Sequence, residues 1–211
     1  MTKAVQVPPS NQQRRNELTD TAIEIVARYG LHGLSHRVVD EQAQVPRGTT
    51  SNYFRSREAL VAATVQRIVD LHFELIAELR AQYAEKNHTV TVIDFLGDVV
   101  DHALTNFPGR YLAFFELAVE STRKPELRQE LDRIADEAMK LTREAHRGKN
   151  GEPSREDLDL LNAFYNGVLF TSLVMPQTLG GQSPGDITRT MLQKVLEPEL
   201  ATGASTRRRS K

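Results

Sequence analysis

Between Leu34 and Leu60 the chain reads LSHRVVDEQAQVPRGTTSNYFRSREAL, a pattern that allows two short helices with almost no connection between them. Ser35 is placed to cap the first, since its hydroxyl can accept a bond from an orphan amide, and His36 to Gln42 follow with Val38 and Val39 turned inward. Ala43, Gln44 and Val45 form the connection. Pro46, with its fixed φ, suits the first turn of a second helix running to about Asn52. Helices this short bury little surface alone, so they brace one another and a third helix, leaving one polar face outward. That face is Arg47, Gly48, Thr49, Thr50, Ser51 and Asn52. It offers small hydrogen-bonding side chains, one cation and a glycine at which backbone can approach a phosphate, with Arg55 and Arg57 just beyond.

Taken alone, such a stretch also fits a surface loop, and the flanks decide between the two. Upstream, Leu18, Ala22, Ile25, Val26 and Tyr29 recur at helical spacing, and Gly30 follows as a stop with Leu31 able to fold back on the last turn. That supplies the bracing helix. Downstream, Ser56 can cap a new helix whose first turn carries Glu58, a favourable charge at the positive end of the helix dipole. Tyr53 and Phe54 are expected to anchor the three helices.

From Arg14 to about Ile68 the chain resembles the N-terminal DNA-binding domain of the tetracycline-repressor-like (TetR) family of bacterial regulators. The matching residues are Arg14 and Arg15, Ala22, Tyr29-Gly30, Gly33-Leu34-Ser35, Ala43, Val45, Arg47-Gly48-Thr49, Phe54 and Ser56-Arg57-Glu58-Ala59-Leu60. They cover only about the first third of the chain. Gln44 stands where the family most often has Gly, and Thr50 and Ser51 replace an apolar residue and a Tyr, so operator sequence does not carry over. The resemblance implies an all-α protein, with a three-helix DNA-binding domain followed by a helical domain for ligand binding and dimerisation. It implies DNA contacts from Arg14, Ser35, His36, Arg37, Arg47, Gly48, Thr49, Thr50, Ser51, Asn52, Tyr53 and Arg57. With the usual Tyr absent at Ser51, phosphate contacts are expected from Asn52, Tyr53 and Arg57.

Composition bounds the remaining possibilities. There is no Cys, which removes disulfides and thiolate metal sites. No apolar run is long enough to span a bilayer and the start of the chain has no apolar signal core, so a cytoplasmic protein is expected. The net charge of -1 is unevenly spread: residues 1–60 hold 8 Lys and Arg against 6 Asp and Glu, and residues 61–206 hold 15 against 22. A basic end and an acidic body would orient the molecule on a polyanion. Arg207, Arg208, Arg209 and Lys211 form a basic tail, expected to be disordered from 201 onward, and residues 1–13 a flexible arm. Of the 6 His, only His32 and His36 fall four apart, with Gly33 between them, so no metal site and no cofactor are expected.

The rest of the chain keeps a helical pattern. A helix from Arg57 to about Tyr83 places Leu60, Thr64, Ile68, Leu71, Leu75, Ile76 and Leu79 on one face. After a break at Asn87 to Thr89, Val92 to Phe107 carries Phe95, Leu96, Val99, Val100 and Ala103, and Pro108-Gly109 end it. Arg110 to Ser121 is apolar enough to suggest a path through the core. Leu127, Leu131, Ile134, Ala138, Leu141 and Ala145 follow an amphipathic spacing that stops near Gly148, before the polar GKNGEPS loop. Arg155 to Met175 is apolar nearly all round, which implies core on one side and a subunit interface on the other, and a last helix runs from Pro184 to about Leu196. Expected interface residues are Leu161, Val168, Met191 and Val195. The boundaries expected are 14–60 for DNA binding and 61–200 for ligand binding and dimerisation.

Clefts between bundle helices commonly take ligands, and Phe73, Phe95, Val99, His102, Tyr111, Phe115, Phe164 and Phe170 are candidate lining residues. Aromatics at such positions serve equally as core. The functional expectation is a ligand-responsive repressor that binds a pseudo-palindromic site in double-stranded operator DNA as a homodimer and is released by a small apolar or amphipathic effector. An enzyme lacks support, with no nucleophile elbow, phosphate loop or identifiable strand. A helical interaction scaffold is the alternative, and a dimer that never binds DNA would favour it.

Overall fold

The computed structural model describes residues 10–85, 92–145 and 155–196, and these form nine α-helices without a strand. They are α1 (Asn11–Gly33), α2 (His36–Gln42), α3 (Thr49–Tyr53), α4 (Arg57–Glu85), α5 (Val92–Asn106), α6 (Pro108–Ser121), α7 (Pro125–Ala145), α8 (Arg155–Val174) and α9 (Pro184–Leu196). A 3₁₀ turn, Pro176–Leu179, follows α8 and leads into Gly180 and Gly181, both at positive φ. The break at Asn87 to Thr89, the loop after Gly148, the basic tail, and the side chains of Ala138, Leu141, Ala145 and Val195 lie outside the described residues.

Helix α1 begins earlier than its basic residues suggest. Ser10 caps it by accepting from the Gln13 amide while the Gln13 side chain accepts from the Ser10 amide, a reciprocal capping box. Residues 11–13 therefore belong to the helix rather than to a flexible arm. At the other end Gly30 takes φ +69, Glu116 of α6 accepts from the Leu31 amide at 3.3 Å, and Leu31 is buried. Tyr29 is a correction: it lies on the exposed side, 57% accessible, instead of on the packed face.

Compactness divides the chain into two units, residues 1–74 with 109–154 and residues 75–108 with 155–211. Helix α4 contributes to both. In the first unit one hydrophobic core takes in Leu18, Ile25 and Val26 of α1, Val39 of α2, Phe54, Leu60 and Ile68 around α4, and Leu117, Leu127 and Ile134 of α6 and α7. Residue 60 is thus not a packing boundary. Nor does α6 run wholly through the core: Tyr111, Ala113 and Leu117 are buried, whereas Leu112 and Val119 are exposed. Its start also moves to Pro108, whose fixed φ suits a first helical turn, so Pro108 opens α6 as well as closing α5.

In the second unit α5 packs against α9 and both meet α8. Val99, Val100, Ala103, Leu158, Val168, Leu169 and Leu192 are buried within it. Gly185, near the start of α9, donates its amide to Asp101 of α5 at 2.7 Å, and a side chain there would strike the Asp101 carboxylate. Arg189 lies across Gly97, which has no side chain to obstruct it. There the guanidinium meets Asp98, donates to Asp186 at 2.9 Å and lies 3.6 Å from Asp101. Burial would push its pKa down, but Asp98 and its neighbours outweigh that and hold it above the usual value. Tyr83 of α4 donates its hydroxyl to Asp98, and this bond pushes the phenol pKa up.

Candidate nucleic-acid interface

Helices α2 and α3 are joined by a turn that the residue types dictate closely. Ser35 accepts from the Val38 amide and starts α2 as its spacing implies. Gln44 then takes φ +54, a left-handed conformation that a glycine adopts more easily, and the Val45 amide donates to the Asp40 carbonyl at 3.0 Å. Pro46 and Arg47 belong to this turn, so α3 begins at Thr49, later than the proline suggests. The cause is Gly48, which caps α3 at φ +88, a conformation outside any helix.

Asp40 holds the turn from beneath. Its carboxylate accepts from the Gly48 amide at 2.7 Å, the Thr50 amide at 2.7 Å and the Thr50 hydroxyl at 2.5 Å. Asp40 and Thr50 are 2% and 0% exposed. Burial raises the Asp40 pKa, but the bonds from Thr50 and Gly48 outweigh it and hold the carboxyl below its usual value. The residue pattern carries no local signal for these bonds, because the partners lie eight and ten residues further along the chain.

The expected DNA-contacting residues separate accordingly. Thr50 is buried and spent on Asp40, which corrects its place on the reading face. Gly48 serves the turn, its amide committed to Asp40. Ser35 is a cap, and His36 is half-buried with Nε2 donating to the Phe54 carbonyl at 2.8 Å. Arg57 is a further correction: Nε donates to Leu34 O at 3.1 Å and Nη2 to Leu31 O at 2.6 Å, so the guanidinium ties α4 to the end of α1. Tyr53 packs on the core beside Phe54. Arg15 stacks over the Phe54 ring at 4.6 Å and so is also engaged inside the domain.

What remains outward is a small set. Arg47 has an 83% exposed side chain, and Ser51, Asn52, Arg37 and Arg55 are also exposed. Thr49 is partly exposed, its hydroxyl donating to Pro46 O at 2.6 Å. Glu41 lies between two of the cations, 2.9 Å from Arg37 and 4.0 Å from Arg47, and Arg14 pairs with Glu17 at 2.8 Å. Exposed pairs of this kind hold weakly, so an incoming phosphate can draw either arginine away. The surface offers cations and hydroxyl and amide groups on one short helix and the turn before it, which is the chemistry that phosphates and base edges require.

The candidate ligand residues are divided between the units. In the first, Phe73 and Tyr111 both meet the His72 ring, at centroid distances of 5.7 and 6.0 Å, and Phe115 packs on Phe114. His72, which the sequence reading did not single out for a ligand, places Nδ1 3.0 Å from the Tyr111 hydroxyl, and burial with nearby Arg110 pulls its pKa down to about 4. In the second, Phe95 packs on Tyr83, Val99 is fully buried and the His102 ring lies 6.0 Å from Phe107. Phe164 and Phe170 lie half-buried on α8. Of the interface candidates, Val168 is buried inside its own unit, a correction, whereas Leu161 is half-buried and Met191 exposed. Among the described residues no cluster of three metal-ligating side chains occurs, and no helix is long and apolar enough to cross a membrane.

Comparisons with known proteins bear on the second half of the chain and on the fold. The family model for the tetracyclin repressor-like C-terminal domain matches residues 87–198. No curated protein matches. Among solved structures, a TetR-family member from Streptomyces coelicolor A3 is 22% identical, covering 87% of this chain and 98% of its own, with a TM-score of 0.67. Salmonella enterica GusR is 20% identical, covering 89% and 97%, with a TM-score of 0.62. The multidrug binding protein EbrR complexed with proflavin is 22% identical, covering 86% and 99%, with a TM-score of 0.58. At these identities the likeness is one of fold.

Proposed function

The chain belongs to the tetracyclin repressor-like family, and from that premise we propose that it is a ligand-responsive transcriptional regulator, a repressor that binds a pseudo-palindromic operator as a homodimer. The observation that carries this is the outward face of the α2–α3 turn and α3, where Arg47, Ser51 and Asn52 stand exposed on a rigidly buttressed short helix. Residues 14–60 read DNA, and residues 61–200 bind the effector and the second subunit. The effector is a small apolar or amphipathic molecule, in keeping with EbrR, whose structures hold proflavin and ethidium. Its binding lowers DNA affinity by favouring one spacing of the two heads over the other. Dimerisation covers exposed apolar side chains of α8, the turn after it and α9, namely Leu160, Val174, Met175 and Met191, with half-buried Leu161 as a further contact. The protein works in the cytoplasm, where the operator is.

The test is binding of the full-length protein to its own upstream intergenic DNA and to a scrambled duplex, followed by release with a panel of amphipathic compounds. Sequence-dependent binding at two protomers per site, relieved by a compound, is the expected result. A stable dimer that treats every duplex alike would overturn it in favour of a protein-interaction scaffold.

A further inference from the structure

We propose that Asp40 is the positioning residue of the DNA-reading helix, a buried lock that fixes α3 against α2 and thereby sets sequence discrimination. The proposal rests on the reading that α3 contacts DNA. Helix α3 has five residues and no side-chain cap of its own, and a helix so short does not hold its shape unaided. Two of the amides at its start, those of Gly48 and Thr50, go to the Asp40 carboxylate, and so does the Thr50 hydroxyl. The same residue holds the turn through its carbonyl, which accepts from Val45. A negative charge at a helix start is favourable, and here it is buried where water does not compete for the bonds.

The partners of Asp40 are interleaved with the reading residues. Gly48 and Thr50 flank Thr49, Arg47 precedes them and Ser51 and Asn52 follow. Releasing the lock lets that whole row shift. Phosphate contacts through flexible arginines tolerate such a shift, whereas hydrogen bonds to base edges do not. Loss of the lock should therefore remove discrimination while leaving general affinity for DNA in place.

The experiment uses the full-length protein, a duplex selected by the wild type from a random pool, and a scrambled duplex of the same length. Asp40→Asn keeps the shape but loses the charge and part of the accepting capacity, and Thr50→Val removes only the hydroxyl. Asp40→Asn is expected to lower the ratio of selected to scrambled affinity about ten- to a hundredfold, the scale of losing bonds to a charged group. Thr50→Val should lower it less, with the double variant showing less than the combined losses. Affinity for the scrambled duplex and its salt slope should stay constant, while hydrogen exchange across residues 46–53 rises. A merely structural role would lower both affinities together through the folded fraction. An unchanged ratio in Asp40→Asn overturns the proposal, and if that variant does not fold, an unchanged ratio and exchange in Thr50→Val do so. A wild type that selects no sequence overturns the DNA-reading function and this proposal with it.

Discussion

Helices α1 to α3 are started and linked by hydrogen bonds between near neighbours in the chain, Ser10 with Gln13, Ser35 with Val38 and Asp40 with Thr50, whereas α5 and α9 are joined across 84 and 91 residues by Asp101 with Gly185 and Asp98 with Arg189. The first kind of contact is uncharged or deeply buried, and salt in solution scarcely reaches it. The second is a partly exposed ionic cluster. The two regions are alike in secondary structure and differ in what fixes it, and that difference can be measured.

The largest effect is expected at Phe54, which is 1% exposed among the residues joining α1, α2 and α4. Phe54→Ala should cost about 3–5 kcal/mol in urea unfolding at any ionic strength, since a cavity in a close-packed core is insensitive to salt. A loss under 1 kcal/mol would mean that the head is not held by this core. Acid comes next. His72 has a folded-state pKa of about 4 against an ordinary 6.5, so the unfolded chain takes up its proton first as pH falls. Stability from this group is complete above pH 6.5 and is lost on the way down to pH 4, by at most about 3 kcal/mol. Unfolding of His72→Gln at pH 7 and pH 5 should show the dependence flattened, and an unaltered slope would assign it elsewhere.

Two smaller effects separate the regions directly. Gly48→Ala places a side chain at φ +88 and should cost about 1–2 kcal/mol, again without salt dependence, as read by thermal unfolding. Arg189→Met leaves Asp98, Asp101 and Asp186 without their shared cation. It should cost about 1 kcal/mol at low salt and progressively less as salt screens the cluster. A salt-independent loss at Arg189 would show that its packing over Gly97, and not its charge, joins α5 to α9.

These contrasts explain what the amino-acid sequence did and did not disclose. The bounds of α2 are those that Ser35 and the spacing of Val38 and Val39 imply, and Ser56 caps the start of α4 by accepting from the Ala59 amide. The capping box at Ser10 and Gln13 has its local signature too, a Ser followed three residues later by Gln, so the start of α1 ahead of Arg14 is legible in the sequence. Thr50 and Arg57 carry no such mark. A polar residue between Thr49 and Ser51 looks like part of the same exposed row until its buried partner is known, and an arginine that ties α4 to the end of α1 looks like one that meets phosphate. The α5–α9 junction was illegible for the same reason: Gly97, Gly185 and Arg189 acquire meaning only once the helices are side by side. Tyr29 failed differently, since helical spacing marks a face but not how far the packing extends along it.

Whether Arg47 and its neighbours on α3 present DNA-reading groups is decided by the dependence of operator affinity on salt for the wild type and Arg47→Ala. A steep fall of log affinity with log salt is expected for the wild type, with preference for one duplex over its scramble, and in the variant a slope shallower by about one, the counterions of a single phosphate. Equal affinity of the wild type for every duplex, with a slope that Arg47→Ala leaves unchanged, would contradict it.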